Sequence, residues 1–373
     1  MIWQAIRGTA AGGLWPLRRS APPTPAESHT EVVDMPPPEA FLEVLDLRHF
    51  GALALRPVMD AEGALWTQRL HWDYRLSAKL LAQYLDNRML PGFAALENGH
   101  LAGYTFCVYE DTKAVIGDIF ALPGGENGAV HTASTQHVEQ TLFRHLFEML
   151  LNSPQVNRVE SQMLLHPSGF QAQTFQDAGF ELFRRLFMVQ SLDGYWKEPQ
   201  INLPRELELR PWRDEDLNSA GKLICEAYSN HPDSMINDQY RTVHGSMRFL
   251  NNIVRYAGCG VFSTQVSHVV VARYTHDLVA LVLGSRVSPE SGHITQLCVH
   301  PAYRRKGLAR MLLNLASHRF LRQGVREVSL TVTESNAQAI ELYKDEGYIC
   351  AHSFDATVWQ RNGSASKLTD LVA

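Results

Sequence analysis

The chain has 373 residues, 45% of them hydrophobic and 20% charged, with a net charge of −5. This is the balance of an ordinary globular protein long enough for two domains, and it excludes a generally basic surface for nucleic acid or an anionic membrane. Five scattered cysteines without a CxxC pair, and sixteen histidines without an HExxH or Cys/His cluster, speak against a disulfide framework or a metal site. They fit a reducing, cytoplasmic compartment. No apolar run reaches the roughly 18 residues that span a membrane.

Residues 1–39 are glycine-rich and then proline-rich. Arg7, Arg18 and Arg19, with no acid before Glu27, give a trace of a targeting peptide, but GTAAGGLWPL is short and glycine-rich for a signal core. The segment reads as a flexible extension, with Met35 as an alternative start. Residues 40–195 then read as a globular unit. VLDLRHF is a strand, and a helical stretch runs through WDYRLSAKLLAQYLDN. FAALENGHLAGYTFCVYE is a hairpin turning at Asn98-Gly99. AVIGDIFAL is a strand, PGGENGAV a loop, QHVEQTLFRHLFEMLL an amphipathic helix, VESQMLL a strand and FQAQTFQDAGF a short helix ending at Gly179.

A polar linker, 196–206, contains Pro199 and Pro204, and the same order of elements returns over 207–361, before a tail of 362–373. ELELRPW is a strand and LNSAGKLICEAYS a helix, and a second helical region covers about Asp238 to Arg255. HVVVARYTHDLVALVLGSRV is a hairpin turning at His276-Asp277. ITQLCV, MLLNLASHRFL, REVSLTVT and NAQAIELYKDEGY then read as strand, helix, strand and helix. Phe175-Gln176-Asp177-Ala178-Gly179-Phe180 parallels Tyr343-Lys344-Asp345-Glu346-Gly347-Tyr348, each with an aromatic four residues before a glycine that can end the helix. The expected fold is α/β, two copies of one unit, each a mixed sheet flanked by helices.

The chemistry concentrates in RRKGLAR, Arg304 to Arg310, between the ITQLCV strand and the MLLNLASHRFL helix. Unpaired N–H groups and the positive end of the helix dipole point outward at such a junction, and Gly307 and Ala309 are small enough to admit a phosphate to the backbone. Leu297-Cys298-Val299-His300-Pro301 leads into Arg304-Arg305-Lys306-Gly307-Leu308-Ala309, and Asn336, Ala339, Leu342-Tyr343 and Gly347-Tyr348 follow about thirty residues later. Both stretches match signatures of the GNAT superfamily of N-acyltransferases, and the C-terminal half resembles that family.

The resemblance implies acetyl-CoA, or another acyl-CoA, as co-substrate, with no metal. It implies that backbone N–H groups from Arg305 to Arg310 cradle the pyrophosphate, with the arginine and lysine side chains adding charge. Leu297, Cys298 and Val299 would hold the pantetheine arm like an added strand and polarise the thioester carbonyl. Asn336 would bond the cofactor arm, and it also suits a helix N-cap. Tyr343 would protonate the leaving thiolate as an amine attacks the thioester directly, although a tyrosine there also suits a core.

No base stands out. Some family members place a glutamate where this chain has Thr331, so His293, Gln296 and Glu334 remain as candidates, each also readable as structural or surface. The first copy has no arginine-glycine loop, only PGGENGAVHTASTQ with Glu126, and it has Phe175 at the tyrosine position. It reads as a degenerate copy without CoA chemistry, in a tandem layout similar to that of mycothiol synthase. In the segment SNHPDSMINDQYRTVHGSM, Asp233, Asp238 and Tyr240 suit a cationic amine or ordinary capping roles. The implied activity is N-acetyl transfer to a primary amine of a small molecule, an amino acid or a protein, with no nucleic-acid or membrane partner. A non-catalytic acyl-CoA-binding sensor or interaction protein is the alternative.

Overall fold

A computed structural model describes residues 42–123, 133–193, 199–255 and 260–361. The expected extension 1–39, the loop bearing Glu126, residues 196–198 of the linker, Cys259 and the tail 362–373 lie outside the described residues. The first half contains β1 (Leu42–Asp46), α1 (Ala52–Leu70), α2 (Arg75–Asp86), β2 (Gly92–Glu97), β3 (His100–Glu110), β4 (Lys113–Ala121), α3 (Ala133–Leu151), β5 (Arg158–Gln162), α4 (Ala172–Asp177) and β6 (Glu181–Ser191). The second contains β7 (Leu207–Pro211), α5 (Leu217–Ala227), α6 (Asp233–Ile236), α7 (Val243–Arg255), β8 (Val261–Phe262), β9 (His268–Ala272) and β10 (Leu278–Arg286). It continues with β11 (Ser291–Val299), α8 (Leu308–Arg322), β12 (Glu327–Thr333), α9 (Ala337–Asp345) and β13 (Ile349–Gln360).

Local chemistry explains several boundaries. The β2–β3 turn places Asn98 at φ 53° and Gly99 at φ 79°, the left-handed pair that a two-residue hairpin needs. The internal repeat survives in the backbone. Gly179 and Gly347 both adopt positive φ, Phe180 N–H bonds the Phe175 carbonyl at 3.0 Å, and Tyr348 N–H bonds the Tyr343 carbonyl at 2.9 Å.

The two copies share one sheet, ordered β1-β2-β3-β4-β5-β13-β6-β12-β11-β10-β9-β7, with β8 paired to β10. Each copy lends its last strand to the other. β13 pairs antiparallel with β5, β6 pairs antiparallel with β12, and β6 and β13 pair with each other at the centre. Their composition suits that place. Adjacent residues Phe187 and Met188 of β6 are both buried, as are Phe354 to Val358 of β13, so both faces of each strand are covered. The first half packs α1 and α2 around Tyr104, Phe106, Phe187 and Phe354 on one face, and α3 around Phe143, Phe147 and Phe175 on the other. In the second half α8 covers one face, and α5 and α7 the other.

Candidate active site

β11 pairs with β10 along most of its length, but with β12 only from Ser291–Glu327 to Ile294–Leu330. Beyond Ile294 the two strands part. Thr295 is an extra residue there, since Leu283 faces Gln296 while Gly284 faces Ile294. Its hydroxyl donates to the Leu283 carbonyl at 3.1 Å. Such a bulge bends the strand that carries it, which turns β11 away where pairing stops. His300 N–H donates to the Val279 carbonyl at 2.8 Å. By the alternation of an antiparallel ladder, the backbones of Leu297 and Val299 then face away from β10, into the opening. Arg304 Nε takes the Val299 carbonyl at 3.3 Å, which leaves the Leu297 N–H and C=O and the Val299 N–H facing it. Cys298 packs with the α5–α7 cluster instead. Burial pushes its thiol up to about 12, so it holds its proton at neutral pH.

The arginine loop lies beyond this opening. Arg305 and Gly307 adopt φ 62° and 78°, and Gly307 begins α8 without a side-chain cap. A Cβ placed on Gly307 meets nothing within 4 Å, so open space lies beside the uncapped start of α8. An anion fits there. The four cations divide into two kinds. Arg304 Nη2 donates to the Ala227 carbonyl at 2.7 Å and ties the loop to the end of α5. Arg310 bridges to Asp345 at 2.7 Å and Glu346 at 2.9 Å, at the end of α9. Lys306 Nζ lies 4.9 Å over the Tyr303 ring, and Arg305 has no partner among the described residues. Arg305 and Lys306 are the two cations here whose side chains are held by neither a carbonyl nor a carboxylate among the described residues. Leu308 is buried beneath it.

Tyr343 is half-buried on α9, its ring 5.9 Å from that of Tyr348. Burial, and then the Asp233 carboxylate, push its pKa above the ordinary phenol range, so it carries a proton to give. Asn336 caps α9, its Oδ1 accepting from Ala339 N–H at 3.3 Å, while its Nδ2 lies 3.2 Å from His231 Nε2. His231 Nδ1 in turn accepts from Asp233 N–H at 3.1 Å. Burial lowers the His231 pKa and keeps the ring neutral. The Thr333 hydroxyl, at the end of β12, donates to Asp233. Gln296 fixes two more phenols, donating to Tyr228 at 3.0 Å and accepting from Tyr240 at 3.4 Å, with the two rings stacked at 4.5 Å.

Of the three acceptor-side residues, Asp233 and Tyr240 therefore join Tyr343, Asn336 and Gln296. Asp238 does not. It pairs with Lys113 at 2.6 Å and lies 3.9 Å from Arg158, in an ion cluster with Glu110 and Glu160 that joins the halves. The buried Lys113 needs those anions. His293 is also structural. It is buried between Trp72 and Phe187, its Nδ1 is 2.9 Å from Ser329 Oγ, and burial pushes its pKa down to about 3. Glu334 is exposed, 3.8 Å from Arg184. At Thr331 the hydroxyl accepts from Arg185 Nη2 at 3.4 Å, so a cation stands there and no acid. The sequence did not single out His231, Tyr228 or Arg185. His231 lay inside the acceptor segment, whereas Arg185 enters from the other copy and only the sheet order brings it here.

The first half has the same opening, since β4 and β5 pair only over Lys113–Val115 and Arg158–Glu160. Side chains fill it. His166 Nε2 lies 2.8 Å from the Ile119 carbonyl and its ring stacks on Phe170 at 3.9 Å. Phe175, at the tyrosine position, is buried against Phe143 at 4.8 Å and against Phe147 and Phe180 at 5.2 Å.

Residues 235–348 match the model of the acetyltransferase (GNAT) family. The match lies wholly within the second half. A GCN5-related N-acetyltransferase from Sphaerobacter thermophilus is similar to this chain at 17% identity and a TM-score of 0.57, over 87% of this chain and 96% of that one. A tandem GNAT protein from the clavulanic acid biosynthesis pathway is similar at 13% identity and a TM-score of 0.56, over 86% and 98%. A glucosamine N-acetyltransferase region of a fungal multi-domain β-N-acetylglucosaminidase gives 13% and 0.56, over 86% of this chain and 38% of that one. At such identities the likeness is one of fold, a tandem GNAT fold, while the family match supports acyl transfer in general. Among the described residues no group of three or more His, Cys, Asp or Glu is arranged to hold a metal ion, and no helix is long and apolar enough to cross a membrane.

Proposed function

We propose that this protein transfers an acetyl group from acetyl-CoA to a primary amine. Residues 207–361 would carry the CoA chemistry, and residues 40–195 would be a copy without it. The observation that carries this reading is the departure of β11 from β12 at Thr295. It leaves an opening that leads to the uncapped start of α8, and Tyr343 packs against the same cluster as Leu297 and Val299. The residues present fit a CoA thioester. The N–H groups of Arg305 to Arg310 take the pyrophosphate, and Arg305 and Lys306 add charge. Leu297 and Val299 offer backbone groups to the amide-bearing arm and a donor to the thioester oxygen.

The amine nitrogen forms a bond to the acetyl carbon as the carbon–sulfur bond breaks. Tyr343 gives its proton to the departing sulfur and regains one from solvent. The Asp233 carboxylate, with one oxygen free of partners among the described residues, is the group suited to take the amine's proton, since the neutral His231 already uses its Nδ1 lone pair on Asp233 N–H. No acyl-enzyme is invoked, because Cys298 is buried and protonated. The free thiols of Cys107, Cys225, Cys298 and Cys350 support a reducing compartment such as the cytoplasm.

One observation favours a second reading, a non-catalytic acyl-CoA-binding protein: the position used by a family carboxylate is Thr331. Thiol release from acetyl-CoA across a panel of amines, with mass spectrometry of the amines, separates the two. Turnover with a one-acetyl mass gain supports the enzyme. CoA binding without turnover on any amine supports the sensor.

A further inference from the structure

We infer that the acceptor is an amino acid bound as its zwitterion, with Arg185 of the first half holding its carboxylate and Asp233 of the second receiving its ammonium. This rests on the transfer reading above for the reacting atoms, but the charge arrangement stands on its own geometry. Arg185 is 7% exposed. Its Nη1 donates to Gln162 Oε1 at 3.0 Å and its Nη2 to Thr331 Oγ1 at 3.4 Å, both neutral acceptors. Its Nε is buried without a hydrogen-bond partner. No carboxylate pairs with it among the described residues. A guanidinium in that state lacks both a counter-charge and a hydrogen bond, and a planar carboxylate supplies the two together.

Asp233 is the complementary half. One oxygen accepts from Thr333, and the other has no partner among the described residues. Arg185 stands opposite Thr333 in the β6–β12 ladder, so the two charges are carried on neighbouring positions, yet they do not pair with each other. Both act on Tyr343. Beyond burial, the Asp233 carboxylate raises its pKa and the Arg185 guanidinium lowers it. The proton donor therefore feels both a buried cation and a carboxylate. A purely cationic amine would satisfy Asp233 and leave Arg185 bare, whereas a zwitterion satisfies both. The strand exchange gains a purpose here, because it brings Arg185 of the first copy to this place.

The test uses the full chain, acetyl-CoA and matched probes: the protein amino acids, β-alanine and γ-aminobutyrate, each beside its carboxamide. The expected result is that kcat/KM for the favoured amino acid exceeds that of its amide by about 10- to 100-fold, and that Arg185→Met brings the ratio close to one. The KM for acetyl-CoA should stay unchanged, and turnover of the amide should fall far less than turnover of the amino acid. If Arg185→Met does not fold, Arg185→Lys, which keeps charge but not the fork, should give an intermediate ratio. Amides used as well as amino acids by the wild type, or an unchanged ratio in either variant, would overturn the inference. If nothing is turned over, thermal shifts of the CoA-loaded protein decide. Stabilisation by amino acids but not their amides retains this site and sinks only the catalytic reading, and stabilisation by neither, or by both alike, overturns the site as well.

Discussion

Arg185 of the first copy donates to the Thr331 hydroxyl of the second across 3.4 Å. The contact exists because β6 lies between β12 and β13, and it makes the candidate site a product of both halves. Either half alone would expose long unpaired strand edges, β12 and β13 in the second and β5 and β6 in the first. A protease site inserted at Asn202 should therefore give two fragments that co-elute in size exclusion after cleavage. Each half expressed alone should be insoluble or aggregated. Separation of cleaved, soluble halves would contradict the shared sheet.

The arginine loop predicts two classes of variant. Arg305→Ala and Lys306→Ala should raise the KM for acetyl-CoA several-fold, more so at low salt, with little change in Tm. Arg304→Ala and Arg310→Ala should lower Tm, because these side chains bind Ala227, Val299, Asp345 and Glu346. Melting curves and acetyl-CoA titrations of the four variants would separate the classes.

Gly307→Ala tests the helix start. The residue sits at φ 78° in open space, so the added methyl meets no clash but pays for a left-handed conformation, about 1 kcal/mol of stability. The strain falls on the turn that sets the start of α8 and so the orientation of its first N–H groups. The expected outcome is a small fall in Tm with a larger, roughly tenfold, loss of acetyl-CoA affinity by calorimetry. Unchanged affinity would remove the loop from the binding site.

How much was legible in advance follows from how local each signal is. The placement of Gly307, Asn336 and Tyr343 was readable because it follows from spacing along one strand–loop–helix segment. The Asn98-Gly99 hairpin and the repeated helix ends at Gly179 and Gly347 were readable for the same reason. Asp238 stayed open between two roles because an acid in a loop looks alike whether it meets a ligand or, as here, the buried Lys113 of a distant strand. Arg185 was silent because nothing in β6 says which strand it will pair with. His293 looked like a proton relay only until Trp72 and Phe187 were found around it.

Phe175→Tyr restores the phenol of the first copy in sequence but not in chemistry. The hydroxyl would be buried among Phe143, Phe147 and Phe180, at a cost of about 1–3 kcal/mol. A Tyr343→Phe/Phe175→Tyr double variant should regain no thiol release over Tyr343→Phe alone.

Glu62 predicts a pH-dependent stability. It is fully buried on α1, accepts from Trp66 Nε1 at 3.2 Å and from the Tyr104 hydroxyl, and burial with the nearby Asp118 pushes its pKa from 4.5 up to about 8. Between those values the folded chain holds a proton that the unfolded chain has released, so stability falls as pH rises through the window. The slope is about 1.4 kcal/mol per pH unit. Glu62→Gln should remove that slope. Its Tm should lie at or below that of the wild type near pH 5 and gain on it steadily toward pH 8.5. Parallel curves for the two proteins would show that the carboxyl is ionised throughout.

Thiol release by the full-length Tyr343→Phe variant is the most direct test of the central claim, measured beside the wild type at saturating acetyl-CoA with the best amine of the panel. Loss of the proton donor should lower kcat by about 100-fold or more while the Kd for CoA stays the same. A Tyr343→Phe protein that keeps wild-type kcat, with the fold intact, would contradict the account.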